Sequence, residues 1–423
     1  MVKLFLLIVV EAFTVFCSVS AQEVFSTSVL NRQVKSLKIG VAGDWVADPV
    51  ITLNGEKQLE ISFDVLDQGY SRYLYSIRHC NADWTPSSLS PIEYMTGFQG
   101  MEIEDFANST ATTTVYSNYR FYLPNDQVQL RVSGNYAVIV YDEAKPDKPL
   151  FVACFFVVES VVSIDAGISS ITDIDANKAH QQLEFSVNHK NFPISHPLTD
   201  LKLFVYQNNR RDNMVTGLTP FAILSDKLVY AHNRNLIFKA GNEYRRMEFL
   251  SNQYNGMHVE DIQFHNPYYH VVLYPDHYRH KMSYQYDQDQ NGRFFARCSR
   301  CEDPDTEGDY YIVHFTLAEN EILGGDVFLN GLFLNNNLNE DSRMVYNRES
   351  GQYEKFLLLK EGSYNYQYLF VPQGETVGQT VTIEGDFAQT ENEYYIAVYY
   401  RPIGTRYDRL IGFAKVNNKM TVF

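Results

Sequence analysis

The stretch that decides the fold is residues 77–125, which begins IRHCNADWTP and ends YRFYLPN. The residues leading into it, Tyr73–Cys80, are rich in aromatic and β-branched side chains and predict a strand. A long loop follows, because Pro86 and Pro91 keep regular strand pairing from resuming. Such loops are usually functional or pack on themselves. We expect Trp84, one of two tryptophans, to anchor this loop against the sheet.

Alternation of apolar and polar residues continues along the chain. It is clear in residues 59–63, 128–132 and 183–187, and each segment puts its apolar side chains on one strand face. Asn-Gly pairs starting at Asn54, Asn255, Asn291 and Asn330 indicate tight turns. Short strands separated by turn signals predict an all-β protein, built of three tandem immunoglobulin-like or early-set β-sandwich domains.

The N-terminus has the pattern of a secretory signal peptide. A lysine at position 3 precedes an apolar run from Leu4 to Cys17, and small residues precede Gln22. Phe16 stands before Cys17 where a lipoprotein signal needs a small residue. The run is shorter than the roughly 20 residues of a membrane-spanning helix. We therefore expect an exported mature chain with no transmembrane segment of its own.

The predicted domain organisation follows from the length, since domains usually hold about 100–200 residues. An acidic stretch with Pro and Gly at residues 302–309 indicates a linker or an exposed loop. The predicted segments are a signal peptide at 1–21, an N-terminal sandwich at 22–159 carrying the long loop, a middle sandwich at 160–301, and a C-terminal early-set-like sandwich at 302–423.

The formal net charge of −16 argues against a nucleic-acid partner, which would require basic patches. Cys298 and Cys301 form a single C-x-x-C. One such pair does not make a zinc site, and a thioredoxin-like setting is missing. We expect either a tight loop disulfide or two free thiols there. Cys80 and Cys154 are expected to be small core residues.

Two patterns suggest metal binding, and each has a simpler interpretation. Residues 287–292 resemble the start of a calcium loop, but position twelve is Cys298 instead of glutamate, and an Asn-Gly turn explains the same residues. Four histidines occur close together, at His265, His270, His277 and His280, and a solvated loop competes with a metal site. We expect no metal and no cofactor.

The sequence contains no assembled catalytic motif. Glu243 stands beside Arg245 and Arg246, which predicts a structural ion pair, with a partner-binding arginine patch as the second interpretation. There is no G-x-S-x-G elbow, and no carboxylate pair stands out. We expect a protein that is not an enzyme.

Several blocks of sequence, in order along almost the whole mature chain, resemble the plug protein family of the bacterial type IX secretion system. The blocks are residues 79–84, 133–136, 207–210 with 241–246, 362–368, and 384–402. The resemblance implies an all-β, non-catalytic periplasmic protein associated with the outer membrane. It also implies a partner, the very large translocon barrel, whose pore the protein closes when no cargo is crossing. The candidate contact residues are in the long loop: Trp84, Pro86, Tyr94 and Phe98. An alternative is that these side chains only cover their own sheet.

A second hypothesis is a periplasmic or surface glycan-binding protein. Residues 324–333 resemble the opening of early-set sandwiches found in starch-binding modules, which stack sugars on exposed tryptophans. Both tryptophans here lie in the N-terminal domain, and the position where that pattern places a tryptophan is Asn336. The alternating tyrosines from Tyr364 to Tyr368 are expected to fill a core or face a neighbour.

Overall fold

The computed structural model describes residues 23–67, 69 and 71–418, and the expected signal peptide at 1–21 lies outside them. The prediction of an all-β fold built of sandwiches is confirmed. The N-terminal elements are β1 (Ser28–Val29), β2 (Val34–Val41), β3 (Val50–Thr52), β4 (Leu59–Val65), β5 (Tyr73–Cys80), α1 (Pro91–Tyr94), β6 (Met95–Thr96), β7 (Met101–Glu102), β8 (Asp105–Asn108), β9 (Ser117–Leu123), β10 (Gln129–Leu130), β11 (Gly134–Asp142) and β12 (Pro149–Val158).

The N-terminal sandwich consists of two stacked sheets. One has the order β1-β12-β11-β5-β7, with β3 parallel to β12, and the other has the order β2-β4-β9-β8. Leu59, Ile61 and Phe63 alternate on β4 and are fully buried, because they point toward the facing sheet. Aromatic rings fill much of the core: Phe63 stacks on Tyr119 and meets Phe151 edge-on.

The rest of the chain forms two further sandwiches. Its strands are β13 (Ser163–Ser169), β14 (His180–Asn188), β15 (Leu201–Gln207), β16 (Arg210–Val215), β17 (Ala222–Ile223), β18 (Lys227–Tyr230), β19 (Ile237–Lys239), β20 (Arg245–Phe249), β21 (Val259–His265), β22 (Tyr268–Leu273), β23 (Phe294–Ala296), β24 (Tyr310–Leu317), β25 (Gly325–Asn330), β26 (Val345–Asn347), β27 (Gln352–Lys360), β28 (Gly362–Pro372), β29 (Glu393–Tyr400) and β30 (Arg409–Asn417). Short helices are α2 (Pro197–Asp200) and α3 (Pro304–Glu307), with 3-10 turns at Arg234–Leu236 and Leu332–Leu334.

The strand pairing does not follow the predicted division at residues 301/302. The middle sandwich takes β29 and β30 from the C-terminal end of the chain, in the sheet order β16-β15-β29-β30. Val205, Ile396 and Val398 share its core. The third sandwich uses β20 to β28, so its segment of the sequence is inserted between the two segments that form the middle sandwich. The difference arises because β15 needs a second partner along its other edge, and local sequence patterns do not show which strand supplies it.

The N-terminal sandwich packs against both of the others instead of standing at the end of a row. On the middle sandwich, the Tyr399 hydroxyl donates to Asn135 Oδ1 at 2.6 Å. On the third, Lys360 Nζ lies 2.7 Å from Asp64 Oδ2, and both side chains are buried. Buried polar contacts of this kind fix the relative positions of the sandwiches.

Within the part of the chain that the structure covers, no helix has both the length and the apolar character needed to cross a membrane.

Candidate docking surface

The long loop after β5 has a shape that its own side chains fix. The Asp83 carboxylate accepts hydrogen bonds from the Thr85 N–H (3.1 Å) and hydroxyl (2.6 Å). At α1, Glu93 accepts from the Ser90 N–H at 2.8 Å in a capping box, and Pro91 occupies the first turn. The hydrogen bonds from Ser90 lower the pKa of Glu93. The loop is therefore ordered by local chemistry.

Trp84 anchors this loop to the protein, as expected. Its side chain is 2% exposed and meets the Phe156 ring edge-on, with 5.1 Å between centroids. The Arg211 guanidinium from β16 lies 3.9 Å from the Trp84 ring centroid, which is a cation–π contact. Trp84 thus connects the N-terminal and middle sandwiches.

The four predicted contact residues fall into two groups. Trp84 and Tyr94 are buried, and the Tyr94 hydroxyl donates to the Ile77 carbonyl at 2.8 Å. Their prediction as partner contacts does not fit this structure, because neither ring reaches the surface. Pro86 is half-buried opposite Cys80. Phe98 is 80% exposed and remains a candidate.

A second loop, residues 401–408 between β29 and β30, lies beside the first. Arg406 Nη1 is 2.6 Å from Glu93 Oε1, and the Ser88 hydroxyl donates to the Arg406 carbonyl at 3.1 Å. This contact brings Ile403, which is 97% exposed, to the same end of the molecule as Ile92, which is 75% exposed. Sequence reasoning missed Ile403, and only the neighbouring Pro402 and Gly404 indicated a turn there.

The buried carboxylate of Asp408 holds the two loops together. It accepts a hydrogen bond from the Ala82 N–H at 3.0 Å and lies 2.9 Å from Lys202 Nζ and 3.5 Å from Arg401 Nη1. Its side chain is fully buried. A buried carboxylate needs such partners, since it would otherwise be costly to desolvate.

His79 lies directly beneath the same junction. Its Nδ1 is 2.8 Å from Ser87 Oγ, its Nε2 is 3.1 Å from the Ser133 carbonyl, and its ring meets Tyr407 edge-on. A carbonyl only accepts, so Nε2 carries the proton and Nδ1 accepts from Ser87. Burial lowers the pKa of His79 to about 4, which makes it a neutral structural residue.

We define the docking surface as the exposed side chains of Ile92 and Ile403 with the ion pair of Glu93 and Arg406, together with the exposed Phe98, which follows α1 along the same loop. Apolar side chains beside charged ones are typical of reversible protein interfaces. The loops carry these side chains on a rigid sandwich support.

The segment that resembles the start of a calcium loop is a structural turn, as the Asn-Gly pair predicted. Asp287 pairs with Arg246, with its Oδ1 2.5 Å from Arg246 Nη2. Asp289 accepts from the Asn291 N–H at 2.8 Å, and burial raises the pKa of Asp289 to about 8. Asn291 and Gly292 both have positive φ, as a tight Asn-Gly turn requires. Among the described residues, no three or more acidic, histidine or cysteine side chains are arranged to hold a metal ion.

The histidines that lie close together in the sequence are not all close together in the structure. His265 and His270 occupy neighbouring strands, β21 and β22, with ring centroids 5.1 Å apart. His270 Nδ1 lies 2.7 Å from Nε2 of His314 on β24, a residue that sequence reasoning missed. His277 lies elsewhere, 3.5 Å from Glu319. Burial, together with the neighbouring histidines, lowers the pKa of both His270 and His314.

The arginine and cysteine patterns have structural roles. Arg245 is buried between Asp276 (2.7 Å) and Glu384 (3.1 Å), so the ion-pair interpretation holds with partners other than Glu243. Cys298 and Cys301 form a disulfide. The two free cysteines of the described chain are buried, and burial raises the pKa of both thiols.

The alternating tyrosines of β28 fill the core of the third sandwich. Tyr364, Tyr366 and Tyr368 are buried, and the Tyr366 and Tyr368 hydroxyls both donate to Asp276 Oδ2, at 2.8 and 2.9 Å. These rings are therefore not available for stacking on a sugar.

Comparisons with known proteins identify a family model and a similar solved structure. Residues 34–159 match the family model described as the first domain of the type 9 secretion system plug protein. A crystal structure of a hypothetical protein from Parabacteroides merdae is 64% identical, with a TM-score of 0.93, covering 94% of this chain and 100% of that one. No curated protein matches.

Proposed function

We propose that this chain, whose residues 34–159 match the first domain of the type 9 secretion system plug protein, is a non-catalytic periplasmic member of that family that binds the outer-membrane translocon and closes its pore in the absence of cargo. The observation that carries the proposal is the family match over the N-terminal sandwich, which contains the long loop. Export by the signal peptide at residues 1–21 is part of the same proposal.

The construction of the molecule supports an obstructing role. The third sandwich is inserted in the middle one along the chain, and buried pairs such as Lys360–Asp64 join the N-terminal sandwich to the third, so the body resists bending. A protein that blocks an opening must keep its shape under load, and packed sandwiches with buried polar connections meet that need.

The docking surface is our candidate for the translocon contact. Ile92, Phe98 and Ile403 present apolar side chains to solvent, and the Glu93–Arg406 pair offers charges that a partner can meet. The contact must be reversible, and a small apolar centre with a polar rim is consistent with release.

The test is co-purification from detergent-solubilised outer membranes of cells that express the tagged protein. The wild type should recover a giant barrel protein. Phe98→Ser combined with Ile403→Ser should reduce recovery by about tenfold or more, since exposed anchors at an interface commonly contribute over about 1 kcal/mol each. The matched control is Phe221→Ser with Leu323→Ser, because both residues are similarly exposed but lie on other loops.

The outcomes separate the two parts of the proposal. Recovery of no barrel protein with the wild type would refute the plug function. Equal recovery with the docking variant and the control would refute only the assignment of the surface.

A further inference from the structure

A cavity of about 450 Å³ lies where the three sandwiches meet. Trp45 lines it from the N-terminal sandwich, Asn209 from the middle one, and Phe295 and Asn335 from the third. Its volume falls within the roughly 300–1,000 Å³ of small-molecule sites. Because all three sandwiches contribute walls, the cavity depends on the whole fold.

One wall of the cavity is an open aromatic pair. The rings of Trp45 and Phe295 are 4.8 Å apart between centroids, and the two residues are 51% and 38% exposed. The turn carrying Trp45 is held by Asp44, whose Oδ1 accepts from the Val46 and Ala47 N–H groups at 3.2 Å. Phe295 lies on β23, which pairs with β28. The aromatic surface is thus fixed in place and faces the cavity.

Another part of the lining offers carboxamides. Asn209 and Asn335 line the cavity, and within the described residues neither side chain has an intramolecular hydrogen bond. Both have positive φ, at 55° and 56°, so each sits at a sharp turn. The adjacent Asn336 is already engaged, since its Nδ2 donates to the Asn208 and Asn209 carbonyls. Each free carboxamide supplies one acceptor and two donor hydrogens.

The charges around the cavity are largely satisfied inside the protein. Lys38 lies 2.5 Å from Asp305, and Arg293 lies 2.9 Å from Asp48. The Arg211 guanidinium donates to the Phe25 carbonyl at 2.8 Å. A ligand therefore does not need a charge to compensate for one in the wall.

We propose that this cavity is a binding site for a neutral saccharide, with the Trp45–Phe295 pair against a sugar ring and the Asn209 and Asn335 carboxamides bonded to its hydroxyl groups. A sugar ring has a C–H face that suits the negative face of an aromatic ring. Its hydroxyls both donate and accept, as a carboxamide does. A peptide fits less well, because extended peptides usually add to an open strand edge, and these amides stand in turns.

The test uses the full mature chain and three neutral disaccharides: cellobiose, maltose and N,N′-diacetylchitobiose. Binding is followed by calorimetry and by tryptophan emission, to which Trp45 contributes from the cavity while Trp84 is buried. We expect at least one disaccharide to bind with a Kd of about 1 mM or tighter. Trp45→Ala should abolish the emission change and weaken binding by about tenfold or more.

Asn335→Gly is the second variant, because glycine keeps the left-handed turn while removing the carboxamide, and it should also weaken binding. Phe98→Ala is the matched control, because Phe98 belongs to the docking surface and does not line the cavity, and it should bind the disaccharides as the wild type does. The absence of binding by all three disaccharides, or affinities unchanged by both cavity variants, would overturn the site. Binding of a peptide library in place of the sugars would overturn the ligand class. Translocon co-purification by Trp45→Ala should stay at the wild-type level, so this test stands apart from that of the plug function.

Discussion

Replacing Lys360 with methionine should weaken the contact between the N-terminal and third sandwiches and lower the free energy of unfolding. Lys360 Nζ lies 2.7 Å from Asp64 Oδ2 with both side chains 1% exposed, and it also donates to the Asp305 carbonyl at 2.6 Å. Its ammonium lies 4.1 Å from the Tyr116 ring centroid. Burial lowers the pKa of Lys360, while Asp64 opposes that effect. The variant keeps most of the length of the side chain and removes its charge.

The expected cost follows from what remains around Asp64. At 2.7 Å and an effective dielectric constant of about 20, the ion pair contributes about 6 kcal/mol of attraction. Removing the lysine also removes its own desolvation penalty, and Asp64 keeps hydrogen bonds from Tyr310 (2.5 Å) and Asn118 (2.8 Å). We therefore expect a loss of about 3–5 kcal/mol in the free energy of unfolding, the range for a buried pair that loses one partner.

The assay is hydrogen exchange combined with urea unfolding. Exchange protection of β4 and β27 should fall first, because the pair joins these strands. Adding Asp64→Asn to Lys360→Met should recover much of the loss, since no uncompensated buried charge remains. A loss below about 1 kcal/mol, or a double variant no more stable than Lys360→Met, would refute the reasoning.

Two further predictions concern the region beneath the docking surface. The pKa of His79 is about 4 in the folded chain and 6.5 ordinarily. Between these two pH values the unfolded chain binds a proton at this histidine and the folded chain does not. The stability that this group contributes is therefore complete above pH 6.5 and falls by about 3 kcal/mol as the pH approaches 4. Urea midpoints at pH 7 and 4.5 should therefore differ less in His79→Gln than in the wild type, and an identical difference would contradict the assignment. Trp84→Ala should lower the free energy of unfolding by about 3–5 kcal/mol, because it empties a buried site and removes the ring under Arg211, whereas Phe98→Ala should stay within about 0.5 kcal/mol in the same urea titration. A small effect of Trp84→Ala would mean that the loop is not anchored there.

Local patterns were enough to predict several strands and turns. The alternation at Leu59–Phe63 reports which side chains face the core, because successive residues on a strand point to opposite faces. Asn291 and Gly292 adopt positive φ for the reason the dipeptide suggests. The prediction that Trp84 anchors the loop rested on the large apolar side chain of tryptophan.

What the sequence did not reveal depends on residues distant along the chain. The pairing of Val205 with Ile396 joins positions whose local patterns would suit many partners. Trp84 is buried because Phe156 and Arg211 cover it, and neither is near it in sequence. Ile403 belongs to the docking surface only because Arg406 reaches Glu93. The cavity beside Trp45 similarly forms only when three sandwiches pack together.

The interleaved order of strands has a consequence for biogenesis. The middle sandwich receives β29 and β30 from a segment far along the chain from its other strands, so it stays open until these two strands have been made. A product truncated before residue 393 would leave the amide groups along one side of β15 exposed to proteases and to aggregation. Only molecules that contain β29 and β30 can close the middle sandwich, which makes the synthesis of these strands a checkpoint that precedes any assembly.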